Sequence, residues 1–152
     1  MSLTSSTFPR DSNRVPITNL GVMVSKTIIY DGTSKKGAAG ANDIFTVTGT
    51  VAVKIFATCS GSLTTSGAAT TEIGITGNTA SLIAQTTSST ILIGKMWYDA
   101  TPVTVGSLAF STWNILTGST NISEKITSAN VTGGTLTYYC MFVPLSSDGN
   151  VV

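Results

Sequence analysis

The fold is decided by the stretch from Asp43 to Cys59, DIFTVTGTVAVKIFATC. Its Val, Ile, Phe and Thr side chains suit the pleated, half-buried surface of a β-strand. From Val51 onward, alternate residues form one wholly apolar face, which predicts packing against a core, while the opposite face carries Lys54 and must partly contact water. Gly49 interrupts the run and predicts a bulge or bend where the chain changes sheet. Because a single long strand is not stable alone, the rest of the chain must supply partner strands and a second layer.

Further strand-like segments are spaced along the rest of the chain. They are short, separated by turn residues about every ten positions, and none has the 3.6-residue periodicity of a helix. The sequence therefore predicts an all-β chain with a single β-sandwich over residues 21–152, connected as a Greek key or jelly roll. The strand segments are Gly21–Tyr30, Thr70–Thr76, Thr79–Gln85 after a tight turn at Gly77-Asn78, Ile91–Tyr98 with a bend at Gly94, and Thr135–Leu145. Val103–Leu116 is predicted to hold one or two short strands, and Ile122–Ala129 to be strand or irregular structure. A loop is predicted at Asp31–Asp43 and a turn at Ser60–Gly67.

Residues 1–20 have a different composition and are predicted to form an extended N-terminal arm. Ser and Thr are dense there, and Pro9 and Pro16 interrupt any regular element. Such a segment cannot bury enough apolar surface to fold by itself, so it is either a disordered tail or an arm that becomes ordered against a neighbour. In the second interpretation, its apolar and charged side chains are the partner-binding residues. These are Phe8, Arg10, Asp11, Arg14, Val15, Ile17 and Leu20.

The composition points to a chain whose edges are covered by partners. Only 10% of the residues are charged, against about 25% in a typical soluble domain, and Thr and Ser number 27 and 19. Lysines normally keep exposed sheet edges from pairing with other chains, so their scarcity predicts a homo-oligomer. The net charge of +1 gives no reason to expect nucleic acid or an anionic membrane as partner. No apolar run reaches about 18 residues, and the N-terminus lacks the apolar segment of a secretory signal, which predicts synthesis in the cytoplasm.

The reactive residue types give no pattern of catalysis or cofactor binding. Histidine is absent, and the seven acidic residues show no motif spacing of a carboxylate pair. Zinc-ligand spacing, a calcium loop and a phosphate-binding loop are absent too, so neither an enzyme nor a cofactor or metal site is predicted. Cys59 and Cys140 both lie on apolar strand faces and are predicted to be buried and unlinked, with a disulfide as the less favoured alternative.

The aromatic residues allow two interpretations. They could line a sugar-binding site, but packing in the core or at a subunit interface is favoured because aromatic rings dominate both environments. The residues concerned are Trp97, Tyr98, Trp113, Tyr138 and Tyr139.

Several stretches resemble small structural proteins of tailed-bacteriophage virions. They are RDSNRVPITNLG (10–21), FTVTG (45–49), TVAVKIFATCSGSL (50–63), TTEIGITGNTASLIAQT (70–86), MWYDATP (96–102) and NVTGGTLTYYCMFVPLSSD (130–148). The resemblance implies a β-sandwich building block of a phage particle, without catalytic residues, and favours a trimer.

Two functions follow as hypotheses from that resemblance. The first is a capsid decoration or cement protein, which binds the major capsid protein or another virion protein on the outer capsid surface. The second is a carbohydrate- or receptor-binding module of a tail or fibre. A cement protein needs broad shape matching and an arm, whereas a receptor module needs a concave aromatic site in exposed loops.

Overall fold

The computed structural model describes residues 21–108 and 112–152. Ten strands in these residues form two antiparallel sheets, so the predicted all-β sandwich is confirmed. The strands are β1 (Val22–Ile29), β2 (Gly40–Thr48), β3 (Val51–Thr65), β4 (Thr70–Ile75), β5 (Asn78–Thr87), β6 (Met96–Trp97), β7 (Asn114–Leu116), β8 (Thr120–Thr127), β9 (Val131–Pro144) and β10 (Asn150–Val151), with one 3₁₀ turn at Ser88–Thr90.

The strand pairs are nested like a long hairpin folded over on itself. The outermost pair is β1 with β9, followed inward by β2 with β8, β3 with β6 and β7, and β4 with β5. Two further pairings, β3 with β9 and β4 with β8, join these pairs into sheets ordered β1-β9-β3-β6 and β10-β2-β8-β4-β5. Of the two connectivities predicted from the sequence, this nested order is the jelly roll.

The chain changes sheet at Gly49, as predicted, since β2 lies in the second sheet and β3 in the first. Gly49 has a φ of +62°, and a Cβ placed on it would lie 2.5 Å from the Asp148 carboxylate and 2.7 Å from the Gly149 nitrogen. Both the left-handed backbone and the lack of space therefore require glycine at this corner. The long run of residues 43–59 is thus two strands in opposite layers.

One apolar core fills the space between the sheets. The predicted inward face of β3, from Val51 to Cys59, is buried at every alternate position. It packs with Leu136, Tyr138 and Phe142 of β9 and with Ile73, Ile83 and Ile122 of the second sheet. Cys59 and Cys140 are both buried in this core as free thiols, which confirms that prediction.

Several predicted element bounds are wrong because long-range pairing overrides local sequence preference. The turn predicted at Ser60–Gly67 is strand as far as Thr65, since β9 begins at Val131 and pairs with it through three register shifts. The loop predicted at Asp31–Asp43 ends earlier, because β2 begins at Gly40 and pairs with β8. Within Ile91–Tyr98 only Met96–Trp97 is strand, because the chain turns at Gly94, whose φ is +80°.

Candidate functional site

The predicted partner-binding residues of the arm lie outside the residues that the structure describes. Phe8, Arg10, Asp11, Arg14, Val15, Ile17 and Leu20 all belong to residues 1–20. Their role in docking stays a prediction. The described part of the chain begins at Gly21, immediately before β1, which is an edge strand of the first sheet.

The aromatic candidates separate into core and surface groups. Trp97 and Tyr138 have no exposed surface, and their rings meet edge to face with centroids 6.4 Å apart. The Trp97 indole nitrogen also donates to the Thr86 hydroxyl at 2.9 Å, so both the ring and its N–H group have their partners inside the core. Tyr139 and Trp113 instead lie on the outside of the first sheet, and Tyr98 is half-buried.

The register of the first sheet explains how a second apolar surface arises on its outside. Because side chains alternate along a strand, residues between the buried positions of β1, β3, β7 and β9 point away from the core. The pairing aligns Met23, Met141 and Lys54 in one row and Tyr139 and Phe56 in the next. We call this surface the aromatic face; it comprises Met23, Lys54, Phe56, Trp113, Ile115, Tyr139 and Met141.

The aromatic face is held in one arrangement by contacts among its own side chains. The Phe56 and Tyr139 rings stack with centroids 5.0 Å apart and an interplanar angle of 15°. The Lys54 ammonium lies 5.8 Å from the centroid of the Trp113 ring, within the range of a cation–π interaction. Such contacts restrict the rotamers of long side chains, and restricted side chains lose less entropy in a contact.

The aromatic face nevertheless leaves much apolar surface in water. Met23 is 58% exposed and Ile115 is 63% exposed. Lys54 is the one charged residue of the seven that define the face. Aromatic residues and Met are enriched at protein interfaces, and contiguous exposed apolar surface marks interaction sites. The composition of this face is therefore that of an interface.

The outside of the second sheet has the opposite character. The Asp43 carboxylate accepts hydrogen bonds from the Asn121 amide at 2.7 Å and the Ser123 hydroxyl at 2.6 Å. Glu72 lies opposite Lys125 across the β4–β8 pair. We call this surface the polar face; it comprises Asp43, Thr46, Glu72, Asn121, Ser123 and Lys125. The two outer surfaces of the sandwich therefore differ in composition, one aromatic and apolar, the other polar.

A buried polar cluster joins the two sheets inside the core. Glu124 of β8 is fully buried, and its Oε1 lies 2.6 Å from the Tyr30 hydroxyl and 2.7 Å from the Tyr138 hydroxyl. The two hydroxyls are 2.8 Å apart. Oε2 has no hydrogen-bond partner among residues 21–108 and 112–152.

Burial determines how readily the Glu124 carboxyl ionises. Desolvation raises the pKa of Glu124, and the hydrogen bonds that the Tyr30 and Tyr138 hydroxyls donate to it act in the opposite direction without reversing the shift. Burial and the nearby carboxyl also raise the pKa of Tyr30 and Tyr138, so both remain donors.

The alternation of side chains between the two faces of each strand could have identified the residues that the sequence-based prediction missed. Glu124 has the same parity as Ile122 and Ile126, which places it toward the core, but the lack of a motif spacing among the acidic residues gave no reason to single it out. Phe56 has the parity of Lys54, which was predicted to point outward, and Tyr139 and Met141 have the parity opposite to that of Tyr138 and Cys140 in β9. Their combination into one surface needed the register of β3 against β9.

Among residues 21–108 and 112–152, no group of three or more acidic or cysteine side chains is placed to hold a metal ion. In the same ranges no helix has the length and apolar character needed to cross a membrane. Comparison of the chain with known proteins finds no matching family model, no matching curated protein and no matching solved structure.

Proposed function

We propose that the chain is a structural virion protein of a tailed bacteriophage: a capsid decoration protein that binds the outer capsid surface and stabilises the shell. The aromatic face carries this proposal. It offers a broad surface, with rings stacked in place, on the side of the sandwich opposite a polar face. Such a surface is suited to protein contact over a large area.

Two other observations support the same proposal. The stretches quoted under Sequence analysis resemble small virion proteins, and the jelly roll is an architecture that viral capsid proteins use, although lectins use it as well. Because a fold does not determine a function, these observations add to the argument from the face and do not replace it. In this proposal the protein is a homotrimer located on the virion, and its partner is the major capsid protein or another virion protein.

The alternative is a carbohydrate- or receptor-binding module of a tail or fibre. Phe56 and Tyr139 could stack on a sugar ring, since both rings lie on the outside of the sandwich. Trp97 and Tyr138 are unavailable for this purpose because they are buried. The exposed rings stand on the face of a sheet, which fits a capsid contact better than a sugar pocket in loops.

Locating the protein on the particle separates the two functions. Antibody against this chain, applied to purified phage particles and visualised by electron microscopy, is expected to label the capsid shell at its symmetry positions. Label confined to the tail or fibres would contradict the proposal and favour the alternative. Particles from a phage with the gene deleted provide the control for antibody specificity.

Deletion of residues 1–20 tests the contribution of the arm. The described residues already form both sheets and the core without it, so we expect the truncated protein to fold with an unchanged melting temperature. Attachment to the particle should be strongly weakened, because ordering an extended segment costs about 1–2 kcal/mol per residue and implies extensive contacts in the bound state. Co-sedimentation with particles that lack the protein measures the attachment.

A shorter deletion provides the matched control for the arm. Removing residues 1–7 shortens the chain but keeps every proposed partner-binding residue from Phe8 to Leu20. This variant should attach like the full chain. If deletion of residues 1–20 also left attachment undiminished, the arm would not be a docking element.

A further inference from the structure

A cleft of about 670 Å³ lies between β1 and β2, and no residue of the aromatic face lines it. Ile28 and Ala41 contribute apolar surface to it, and Lys26, Lys35 and Lys36 contribute ammonium groups. Its volume falls in the range of small-molecule sites, which are mostly apolar with a few polar groups. Three of the six lysines of the chain are thus gathered around one cleft.

The positive charge of these lysines is largely available to a ligand. The Lys26 ammonium donates one hydrogen bond to the Asp43 carbonyl at 3.1 Å, and an ammonium has three donors. Lys36 lies 3.8 Å from the Asp31 carboxylate, which neutralises part of its charge. The Lys35 side chain makes no hydrogen bond or ion pair with the part of the chain that the structure describes.

The acid that lines the cleft does not cancel this charge by direct pairing. Both carboxylate oxygens of Asp43 accept hydrogen bonds from side chains of the polar face, Asn121 and Ser123. Its carboxylate is therefore directed to the outside of the second sheet. Only its backbone carbonyl contacts Lys26.

The loop that carries Lys35 is fixed in an unusual conformation. Lys35 has a φ of +63°, one of two positive values among the described non-glycine residues. The Asn42 amide donates to the Lys35 carbonyl at 3.1 Å, and the Lys36 nitrogen donates to the Thr33 carbonyl at 2.9 Å. Backbone strain held by its surroundings is concentrated at functional sites, and here it positions a lysine beside the cleft.

We propose that this cleft binds a small amphipathic anion, with the apolar body of the ligand against Ile28 and Ala41 and a carboxylate or phosphate group at Lys26 and Lys35. The site is separate from the aromatic face and does not depend on the role proposed for the protein in the virion. The two parts of the ligand match the two kinds of lining side chain, apolar carbon and ammonium groups.

Octanoate is a suitable probe, with octan-1-ol lacking the charge and acetate lacking the apolar body. Calorimetric titration of the full chain is expected to give saturable one-to-one binding of octanoate, with both other compounds bound more weakly. Lys35→Gln and the double variant Lys26→Gln/Lys35→Gln should weaken octanoate binding by about tenfold or more. Added salt should weaken it further in the parent protein, since screening acts on exposed charges.

Lys125→Gln on the polar face is the matched control, because it removes the same charge from another sheet surface. This variant should bind octanoate like the parent protein. Lys35 lies in an exposed loop, so the single variant keeps the test valid even if the double variant folds poorly. Octanoate affinity that is unchanged in Lys35→Gln, equally reduced in Lys125→Gln, or no higher than that of acetate or octan-1-ol would overturn the proposal.

Discussion

The free energy of unfolding is expected to fall as the pH rises through the pKa of Glu124 in the folded protein. Burial raises this pKa above its ordinary value of 4.5, so the folded state holds a proton that the unfolded state releases. The stabilisation from this proton is complete below about pH 4.5 and is lost progressively as the pH approaches and passes the folded pKa. Between those limits the slope should reach about 1.4 kcal/mol per pH unit.

Two substitutions distinguish the contribution of the Glu124 proton to the free energy of unfolding from the contribution of its hydrogen bonds. Glu124→Gln keeps a carbonyl oxygen and adds donors, so it resembles the protonated acid and should lose the pH-dependent decrease. Glu124→Ala should destabilise the protein by about 3 kcal/mol at acidic pH, because it leaves a cavity and removes the acceptor shared by the Tyr30 and Tyr138 hydroxyls. Urea unfolding at a series of pH values measures both effects.

The groups that face the Glu124 carboxyl support the assignment of this pH dependence to Glu124. Tyr30 and Tyr138 contact it, Asn42 faces it from the neighbouring strand, and Cys59 lies near Tyr30. None of them supplies a positive charge to an ionised carboxylate. Glu72→Gln, which removes an acid from the polar face, is the control and should leave the pH dependence like that of the parent protein. A Glu124→Gln variant with the same pH-dependent decrease would refute the assignment.

The sequence predicted those features of the fold that depend on alternation within one strand. The inward face of β3 and the sheet change at Gly49 could be derived because apolar parity and a glycine are local signals. The strand at Ser60–Thr65 could not, because its partner β9 lies about seventy residues further on and its own residues favour a turn. Pairing between residues so far apart in the sequence leaves no pattern within either segment alone.

The candidate site was partly predictable for the same reason. Lys54 was correctly placed on an outward, partly exposed face of β3. The stack of Phe56 on Tyr139 requires the register between two strands that are far apart in sequence, which the sequence alone did not provide. The register likewise determines that Glu124 meets two tyrosines from the other sheet and its adjoining loop.

The aromatic face is expected to tolerate a new charge in the free protein but not in the attached one. Met23→Asp and Ile115→Asp each place a carboxylate on this face, at side chains that are 58% and 63% exposed. Because both sites are open to solvent, the melting temperature should change little. In a contact with the capsid the charge would be desolvated, so the loss should reach at least about 2 kcal/mol, or about 30-fold in affinity.

Thr46→Asp provides the matched control, since Thr46 is exposed on the polar face and gains the same charge. The decisive measurement is co-sedimentation of the folded variants with purified phage particles that lack the protein, over a range of protein concentrations. We predict that Met23→Asp and Ile115→Asp attach at least about 30-fold more weakly than the parent protein, while Thr46→Asp attaches like it. Full attachment by both aromatic-face variants, or an equal loss of attachment in Thr46→Asp, would contradict the proposal that the aromatic face is the docking surface.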